Sequence, residues 1–247
     1  MRITAQPRAA PDGRQSDHEA AAGEREPLRS ISESACAQGT MNSTSLVSAA
    51  AAAFIQLIIL AGLPLLGYVM YQRRRHHRSF SEILKRAGLQ RCQGRYLVYS
   101  IAFALAGLVL AVFWPPPLEP LTRRGSMYRD FAGLGLTMPA IVAAILYGAV
   151  QTGLTEEILF RGLIAGSLAR RLPIAWANLA QAVIFFLPHC LILLVAPEMW
   201  GLLPLVFAVI LFFGWVRIKS GSIIGPWLMH ASGNVAMALS VAIRTAA

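Results

Sequence analysis

The stretch of residues 139–168 reads PAIVAAILYGAVQTGLTEEILFRGLIAGSL, and its only charged side chains are Glu156, Glu157 and Arg161. An α-helix rises about 1.5 Å per residue, so about 20 apolar residues cross a hydrocarbon core about 30 Å thick. The stretch therefore predicts a membrane-spanning helix with charged groups inside it. A charged side chain at bilayer depth costs at least about 2.5 kcal/mol, so such groups indicate a functional site.

The composition of the whole chain also predicts a membrane protein. Hydrophobic residues make up 56% of the 247 residues and charged residues 14%, with a mean hydropathy of +0.55. Soluble proteins carry about 25% charged residues. Five further apolar runs cover residues 46–71, 96–114, 174–195, 202–216 and 223–243. The sequence therefore predicts an all-α, polytopic membrane bundle of about six transmembrane helices.

Residues 1–45 differ from the rest of the chain. They are polar, mixed in charge, rich in Ala, Gly, Ser and Arg, and show no apolar periodicity. Such segments cannot bury enough apolar surface to fold. We predict a disordered N-terminal tail at 1–45 and a transmembrane domain at 46–247.

The basic residues follow the pattern of membrane topology. The net charge is +10, and residues 73–95 carry eight Lys or Arg directly after the first apolar run. No basic domain interleaved with aromatics is present, so the charge does not indicate a nucleic-acid partner. This loop and the turns at 161–171 and 217–219 hold thirteen Lys or Arg, against four in the opposite loops and C-terminus. The positive-inside rule places the thirteen in the cytoplasm. We expect an integral, multi-pass protein of a bacterial-type plasma (inner) membrane.

Spacing brings the polar groups of the apolar region together. Glu156 lies sixteen residues before Leu172, and His189 lies seventeen after it. If the chain turns there, two antiparallel helices place both side chains about 24 Å from the turn. His230 and Asn234 are four residues apart on the last run, so they share one helix face. We predict that Glu156, His189, His230 and Asn234 meet inside the bundle.

These groups are suited to hydrolysis. A carboxylate and an imidazole beside one water remove its proton, while a second imidazole and an amide stabilise an oxyanion. Glu157 and Arg161 are spaced i,i+4 and are predicted to form an ion pair, which leaves Glu156 as the chemical carboxylate. Phe185 is interpreted as a packing residue. The alternative without chemistry is a buried polar network that only ties helices together.

Three motifs carry a resemblance to a known family. They are Glu156-Glu157-xxx-Arg161, Phe185-xxx-His189 and His230-xxx-Asn234. In this order they resemble the motifs EExxxR, FxxxH and HxxxN of the CAAX-protease and bacteriocin-processing, Rce1-like intramembrane proteases of glutamic type. The resemblance covers about residues 137–243, the last four predicted spans, and implies that the catalytic core lies there.

The resemblance implies an endopeptidase that cleaves a membrane-anchored protein or a prenylated, leader or sorting-type peptide in the bilayer. It implies that Glu156 and His189 activate water and that His230 and Asn234 form the oxyanion hole. It also raises zinc as a possible cofactor, with Glu156, His189 and His230 as ligands. We favour the metal-free mechanism, because no HExxH is present and Asn234 suits an oxyanion donor better than a zinc ligand.

Other classes of protein compete with this interpretation. A serine protease would need a buried Ser paired with a His on another helix, and Ser167 and Ser232 are poorly placed for it. Cys36, Cys92 and Cys190 lack the spacing of a thiolate metal site. A catalytically idle scaffold or immunity-type binding protein would keep the fold, and a proton-coupled transporter would use the same groups as a relay. These two alternatives stay open.

Overall fold

The computed structural model describes residues 43–246, with side chains from residue 45, and every regular element in that range is a helix. The principal helices are α1 (Ser43–Gln56, continued by Leu57–Gly62 and Leu63–His76), α2 (Phe80–Arg86), α3 (Gly94–Phe113), α4 (Met138–Leu168), α5 (Ile174–His189), α6 (Leu203–Ser220) and α7 (Ile224–Arg244). Short helical turns at Leu118–Thr122, Arg129–Phe131, Cys190–Leu194 and Pro197–Leu202 lie in the connections. The predicted tail at 1–45 lies outside the described residues except at its end.

Five helical stretches in the described range are long and apolar enough to cross a membrane: Ser45–His76, Gly94–Phe113, Met138–Leu168, Ile174–Leu194 and Pro197–Ser220. The outer faces of these helices are lined with exposed large apolar side chains such as Leu105 and Val112. Such surface is stable in contact with lipid tails. The chain is an integral membrane protein with the all-helical, polytopic architecture that the sequence predicts.

The sixth predicted span differs from the other five. It is α7, a helix of 21 residues that does not belong to the five apolar stretches. His230 and Asn234 lower its apolarity, and both side chains are only partly exposed. α7 packs against α3, α4 and α6, so its polar groups are surrounded by protein on several sides.

α7 and α4 approach each other closely at Gly148. A methyl group placed on Gly148 would lie 2.8 Å from the backbone nitrogen of Val235 and 3.2 Å from the carbonyl carbon of Asn234. Only a residue without a side chain allows this contact, as is common at helix interfaces in membranes. The contact brings the middle of α4 against the segment of α7 that carries Asn234.

α4 is not a regular α-helix. Two π-helical segments, Leu146–Leu154 and Glu157–Ala165, lie on either side of Thr155 and Glu156. In the first segment Thr152 Oγ1 donates a hydrogen bond to the carbonyl of Tyr147, five residues earlier, at 3.0 Å. π-Helical turns widen the helix and occur often at functional sites. Apolar periodicity does not distinguish such turns from α-helix, so they were not predicted.

α2 is the amphipathic helix in the loop between the first two spans. Ser79 and Glu82 form a capping box at its start, with Glu82 Oε2 accepting from the Ser79 backbone nitrogen at 3.1 Å. Ile83 on its inner face is fully buried, whereas Phe80 is exposed. The connection after α2 joins the bundle, since the carbonyl of Gly88 accepts from the backbone nitrogen of Ile223 at 3.0 Å.

Two basic residues that the sequence analysis counts as loop charges lie inside the bundle. They are Arg161 and Arg217, with exposures of 0% and 5%. Removing two from thirteen leaves eleven Lys or Arg on the basic side against four on the other. The asymmetry survives, and the orientation of the protein in its membrane stays a prediction.

Candidate active site

The Glu pair lies where the two π-helical segments of α4 meet. Glu157 and Arg161 are both fully buried, and Glu157 Oε1 lies 3.1 Å from Arg161 Nη1. The ion pair expected from the i,i+4 spacing is therefore present. Glu156 projects differently and has 26% of its side chain exposed. The two neighbouring carboxylates thus have separate surroundings, one enclosed and one open to a cavity.

Arg161 is held by an aromatic ring as well as by its ion pair. Its guanidinium carbon lies 3.8 Å from the centroid of the Phe185 ring, a cation–π contact. The three guanidinium nitrogens and Glu157 Oε2 have no well-aligned hydrogen bond among the described residues. The short contact between Arg161 and Glu157 is thus mainly electrostatic. Phe185 is 3% exposed, as expected of a packing residue, and its ring covers the Arg161 guanidinium.

His230 on α7 faces both carboxylates. Its Nδ1 lies 3.0 Å from Glu157 Oε1, and its Nε2 lies 3.9 Å from Glu156 Oε2. The first distance is a hydrogen bond, whereas the second is too long for a direct one. The predicted approach of Glu156 and His230 is observed. The contact between His230 and Glu157 was not predicted.

His189 ends α5 on the other side of the site. Its Nδ1 is 2.9 Å from the carbonyl oxygen of Phe185. A carbonyl only accepts hydrogen bonds, so this contact places a proton on Nδ1 and leaves Nε2 of the neutral ring as an acceptor. His189 lines the same cavity as Glu156, His230 and Asn234, and the volume of that cavity is about 590 Å³. The four predicted residues therefore meet at one cavity.

Asn234 is fixed by two hydroxyl groups. Its Oδ1 accepts from the Tyr128 hydroxyl at 3.1 Å, and its Nδ2 donates to Thr152 Oγ1 at 2.7 Å. Thr152 in turn donates its own hydroxyl proton to the carbonyl of Tyr147. One N–H of the Asn234 amide remains for another acceptor.

Tyr128 is the main residue that the sequence analysis missed. It lies in the loop between α3 and α4, and burial raises the pKa of its hydroxyl well above the ordinary value. The hydroxyl therefore stays protonated and keeps donating to Asn234. Nothing in the local sequence distinguishes Tyr128 from other loop residues.

Two connections between helices line the cavity. One wall is the α3–α4 loop with Pro120, Leu121 and Tyr128, and the other is the α5–α6 connection with Leu191, Ile192 and Val195. Arg123 joins these walls, because its Nη2 lies 2.9 Å from Glu198 Oε1 and its Nη1 donates to the Val195 carbonyl at 3.0 Å.

The geometry does not provide a ready metal site. Among the described residues, no group of three His, Cys, Asp or Glu side chains is arranged to hold a metal ion. Of the zinc ligands considered from the sequence, His189 uses Nδ1 for the Phe185 carbonyl, and His230 uses Nδ1 for Glu157. Both contacts leave Nε2 of the ring free, as is usual in metal-bound histidines, so the disagreement with a shared zinc ion rests only on the spacing of the three side chains.

Comparison with protein families gives one match. Residues 138–236 match the model of the Rce1-like family, described as type II CAAX prenyl endopeptidase Rce1-like. The matched region contains all of the residues in the three motifs and ends two residues after Asn234. No curated protein and no solved structure matches the chain. The family resemblance inferred from the motifs is confirmed.

Proposed function

Because residues 138–236 match the model of the Rce1-like family, we propose that the protein is an intramembrane endopeptidase of glutamate type. The observation that carries this proposal is one cavity lined by Glu156, His189, His230 and Asn234. Its substrate is a membrane-anchored protein or peptide. A prenylated C-terminus is the first substrate to test, with leader and sorting-type peptides as further candidates.

The nucleophile in this proposal is a water molecule beside Glu156. The 3.9 Å between Glu156 Oε2 and His230 Nε2 leaves room for one water that is hydrogen-bonded to both atoms. Glu156 takes the proton of the water, and Nε2 of His189 is the free acceptor that orients it. The oxygen of the water then attacks the carbonyl carbon of the peptide bond.

The oxyanion that forms is stabilised by His230 and Asn234. Asn234 has one amide N–H that is not engaged by Thr152. His230 donates from Nε2 when its ring carries two protons, and Glu157 accepts from Nδ1 at 3.0 Å. Donors fixed in advance of the reaction stabilise developing charge without reorganisation. Glu156 finally gives its proton to the leaving nitrogen as the C–N bond breaks.

The proton positions in this mechanism agree with the charges of the buried side chains at the site. These side chains are Glu156, Glu157, Arg161 and His230. With both carboxylates ionised, Glu156 and Glu157 face the single guanidinium of Arg161. One additional proton, which the mechanism places on His230, brings the buried cluster to neutrality. Neutral clusters avoid the large cost of an uncompensated charge in a low-dielectric interior.

The proposal is tested with the purified full chain in lipid nanodiscs and a prenylated CAAX peptide. Glu156→Gln keeps the size of the side chain and removes the base, so turnover should fall by about 10²-fold to 10⁴-fold. Asp130→Asn is the matched control, because Asp130 is exposed and makes no described contact. Equal turnover by wild type and Glu156→Gln would overturn the glutamate mechanism. No cleavage of any of the three peptide classes by the folded wild type would favour an idle scaffold or a transporter.

A further inference from the structure

Two guanidinium groups meet at the backbone carbonyl of Arg86, where α2 reaches the end of α4. The carbonyl oxygen of Arg86 accepts from Arg170 Nη1 at 3.2 Å and from Arg217 Nη2 at 3.2 Å. A methyl group placed on Gly166 would lie 3.0 Å from Arg217 Nη2 and 3.3 Å from Arg170 Nη1. Two cations therefore lie side by side over the same glycine. Arg86, Arg170 and Arg217 are called the arginine cluster below.

No carboxylate of the described residues forms an ion pair with the arginine cluster. The described ion pairs of arginine in residues 43–246 involve only Arg123 and Arg161. Partial burial lowers the pKa of Arg170, and the neighbouring guanidinium of Arg86 lowers it further. Like charges repel, so an anion bound beside these side chains would stabilise the cluster.

Arg86 supplies the second observation. Its Nε is enclosed and has no hydrogen-bond acceptor among the described residues, while the side chain as a whole is half-buried. An enclosed donor without an acceptor costs more than about 1 kcal/mol, and more when it is charged. Arg170 differs, since its Nη2 donates to the hydroxyls of Tyr68 and Ser167 at 3.1 and 3.0 Å. The cluster thus contains one guanidinium with an enclosed donor that lacks an acceptor among the described residues.

The position of the cluster indicates which anion would fill it. Arg170 follows the span Met138–Leu168 by two residues, and Tyr68 lies near the end of the span Ser45–His76. The cluster therefore lies at the level of the lipid headgroups. The planar fork of arginine matches the paired oxygens of a phosphate. Basic pockets between membrane helices are known to bind phosphate-bearing headgroups.

We propose that the arginine cluster is a phosphate-binding site, with Arg86 and Arg170 as the direct ligands. Arg217 is 5% exposed, and its Nε–H donates to the carbonyl of Arg161 at 2.9 Å. It therefore contributes positive charge from the interior of the bundle and is not a direct ligand. The phosphate is that of an anionic phospholipid headgroup or a free phosphate ion. The site is separate from the cavity of the proposed protease and does not depend on proteolysis.

The test measures thermal unfolding of the full chain purified in neutral detergent. Phosphatidylglycerol, phosphatidylcholine and inorganic phosphate are titrated separately, and native mass spectrometry counts the lipids that stay bound to the folded protein. Wild type should be stabilised by phosphatidylglycerol well below the concentration at which phosphatidylcholine acts. The double variant Arg86→Gln/Arg170→Gln should need at least about tenfold more phosphatidylglycerol for the same shift, since two charge-assisted hydrogen bonds are lost.

The control is the double variant Arg74→Gln/Arg75→Gln, which removes two exposed charges from the last turn of α1. It should respond to phosphatidylglycerol like wild type. Stabilisation by inorganic phosphate as well would identify the phosphate itself as the ligand, whereas a response to lipid alone would identify the headgroup. Equal responses of the Arg86→Gln/Arg170→Gln variant and wild type, or an equal loss in the control, would overturn the proposal. The number of bound lipids counted by mass spectrometry separates the same outcomes if the thermal transitions are broad.

Discussion

Glu157 Oε1 lies 3.0 Å from Nδ1 of His230. The carboxylate that the i,i+4 spacing pairs with Arg161 therefore also binds a histidine of the proposed site. The same oxygen is 3.1 Å from Arg161 Nη1. One fully buried atom therefore connects a guanidinium on α4 to an imidazole on α7. Glu157 is accordingly a positioning residue, which fixes both the tautomer and the orientation of His230.

Glu157→Gln should impair stability and activity together. The amide keeps the shape of the side chain but leaves the buried Arg161 cation without a counter-charge, which costs about 3 to 5 kcal/mol. Chemical unfolding in detergent measures the loss of stability. The double variant Glu157→Gln/Arg161→Met should be less destabilised than the sum of the two single variants, because it removes both charges. Additive losses in this cycle would show that the ion pair does not contribute as a unit.

The Tyr128→Phe variant should lose several-fold in turnover with little change in substrate affinity. The lost hydroxyl is the donor to Asn234 Oδ1, and a hydrogen bond of this kind is worth about 1 kcal/mol. Steady-state kinetics on the membrane-anchored peptide separate kcat from KM. Tyr99→Phe is the matched control, because Tyr99 stacks on Trp215 at the bundle surface and makes no described hydrogen bond. Equal effects of the two substitutions would argue against a role for Tyr128 in holding the amide.

The same variant should change how stability depends on alkaline pH. Burial raises the pKa of Tyr128, so the folded protein keeps a proton that the unfolded chain releases above about pH 10. This contribution to stability is complete below about pH 10 and is lost as the pH rises further. Tyr128→Phe should therefore show a shallower loss of stability than wild type in this alkaline range, as followed by denaturant titrations. Parallel curves for the two proteins would contradict the buried, hydrogen-bonded hydroxyl.

Much of the fold follows from simple periodicity. The apolar runs predict the long helices to within a few residues, and the i,i+4 spacing predicts the pairing of Glu157 with Arg161. The equal distances of Glu156 and His189 from the turn predict that they reach one cavity. Each of these inferences uses only residues on one helix or on two helices joined by a short turn.

Apart from the local π-helical turns of α4, the missed features depend on approaches between distant parts of the chain. Tyr128 meets Asn234 across 106 positions, and Glu157 meets His230 across 73. Arg217 resembles a loop charge because it stands near Lys219 at the end of an apolar run. Its burial depends on the carbonyl of Arg161 56 positions away. Spacing within one helix carries no information on such contacts.

Gly148→Ala should destabilise the protein although alanine favours helix. Alanine gains up to about 1 kcal/mol over glycine in a helix. At Gly148 the new methyl group would lie 2.8 Å from the backbone of Val235, which cannot rotate away. Overpacking of this kind costs about 1 to 3 kcal/mol and should move Asn234, so that turnover also falls. Thermal unfolding and peptide cleavage are measured on the same preparation.

Gly233→Ala is the control for that variant. Gly233 neighbours Asn234 on α7, and a methyl group there meets nothing within 4 Å. Gly233→Ala should therefore be neutral or slightly stabilising and should keep full turnover. Loss of activity in Gly233→Ala with Gly148→Ala unaffected would reverse the assignment of the tight interface.

Proteolysis should survive removal of metal ions. The sequence lacks an HExxH motif, and no three candidate ligands among the described residues are grouped to hold a metal ion. We therefore expect a strong chelator to leave the initial rate of peptide cleavage unchanged, and elemental analysis to find far less than one zinc per chain. A zinc protease assayed in the same detergent verifies that the chelator acts there. Inactivation that is reversed by added zinc, and abolished in Glu156→Gln, would instead assign Glu156, His189 and His230 as ligands and require the side chains to rearrange on binding.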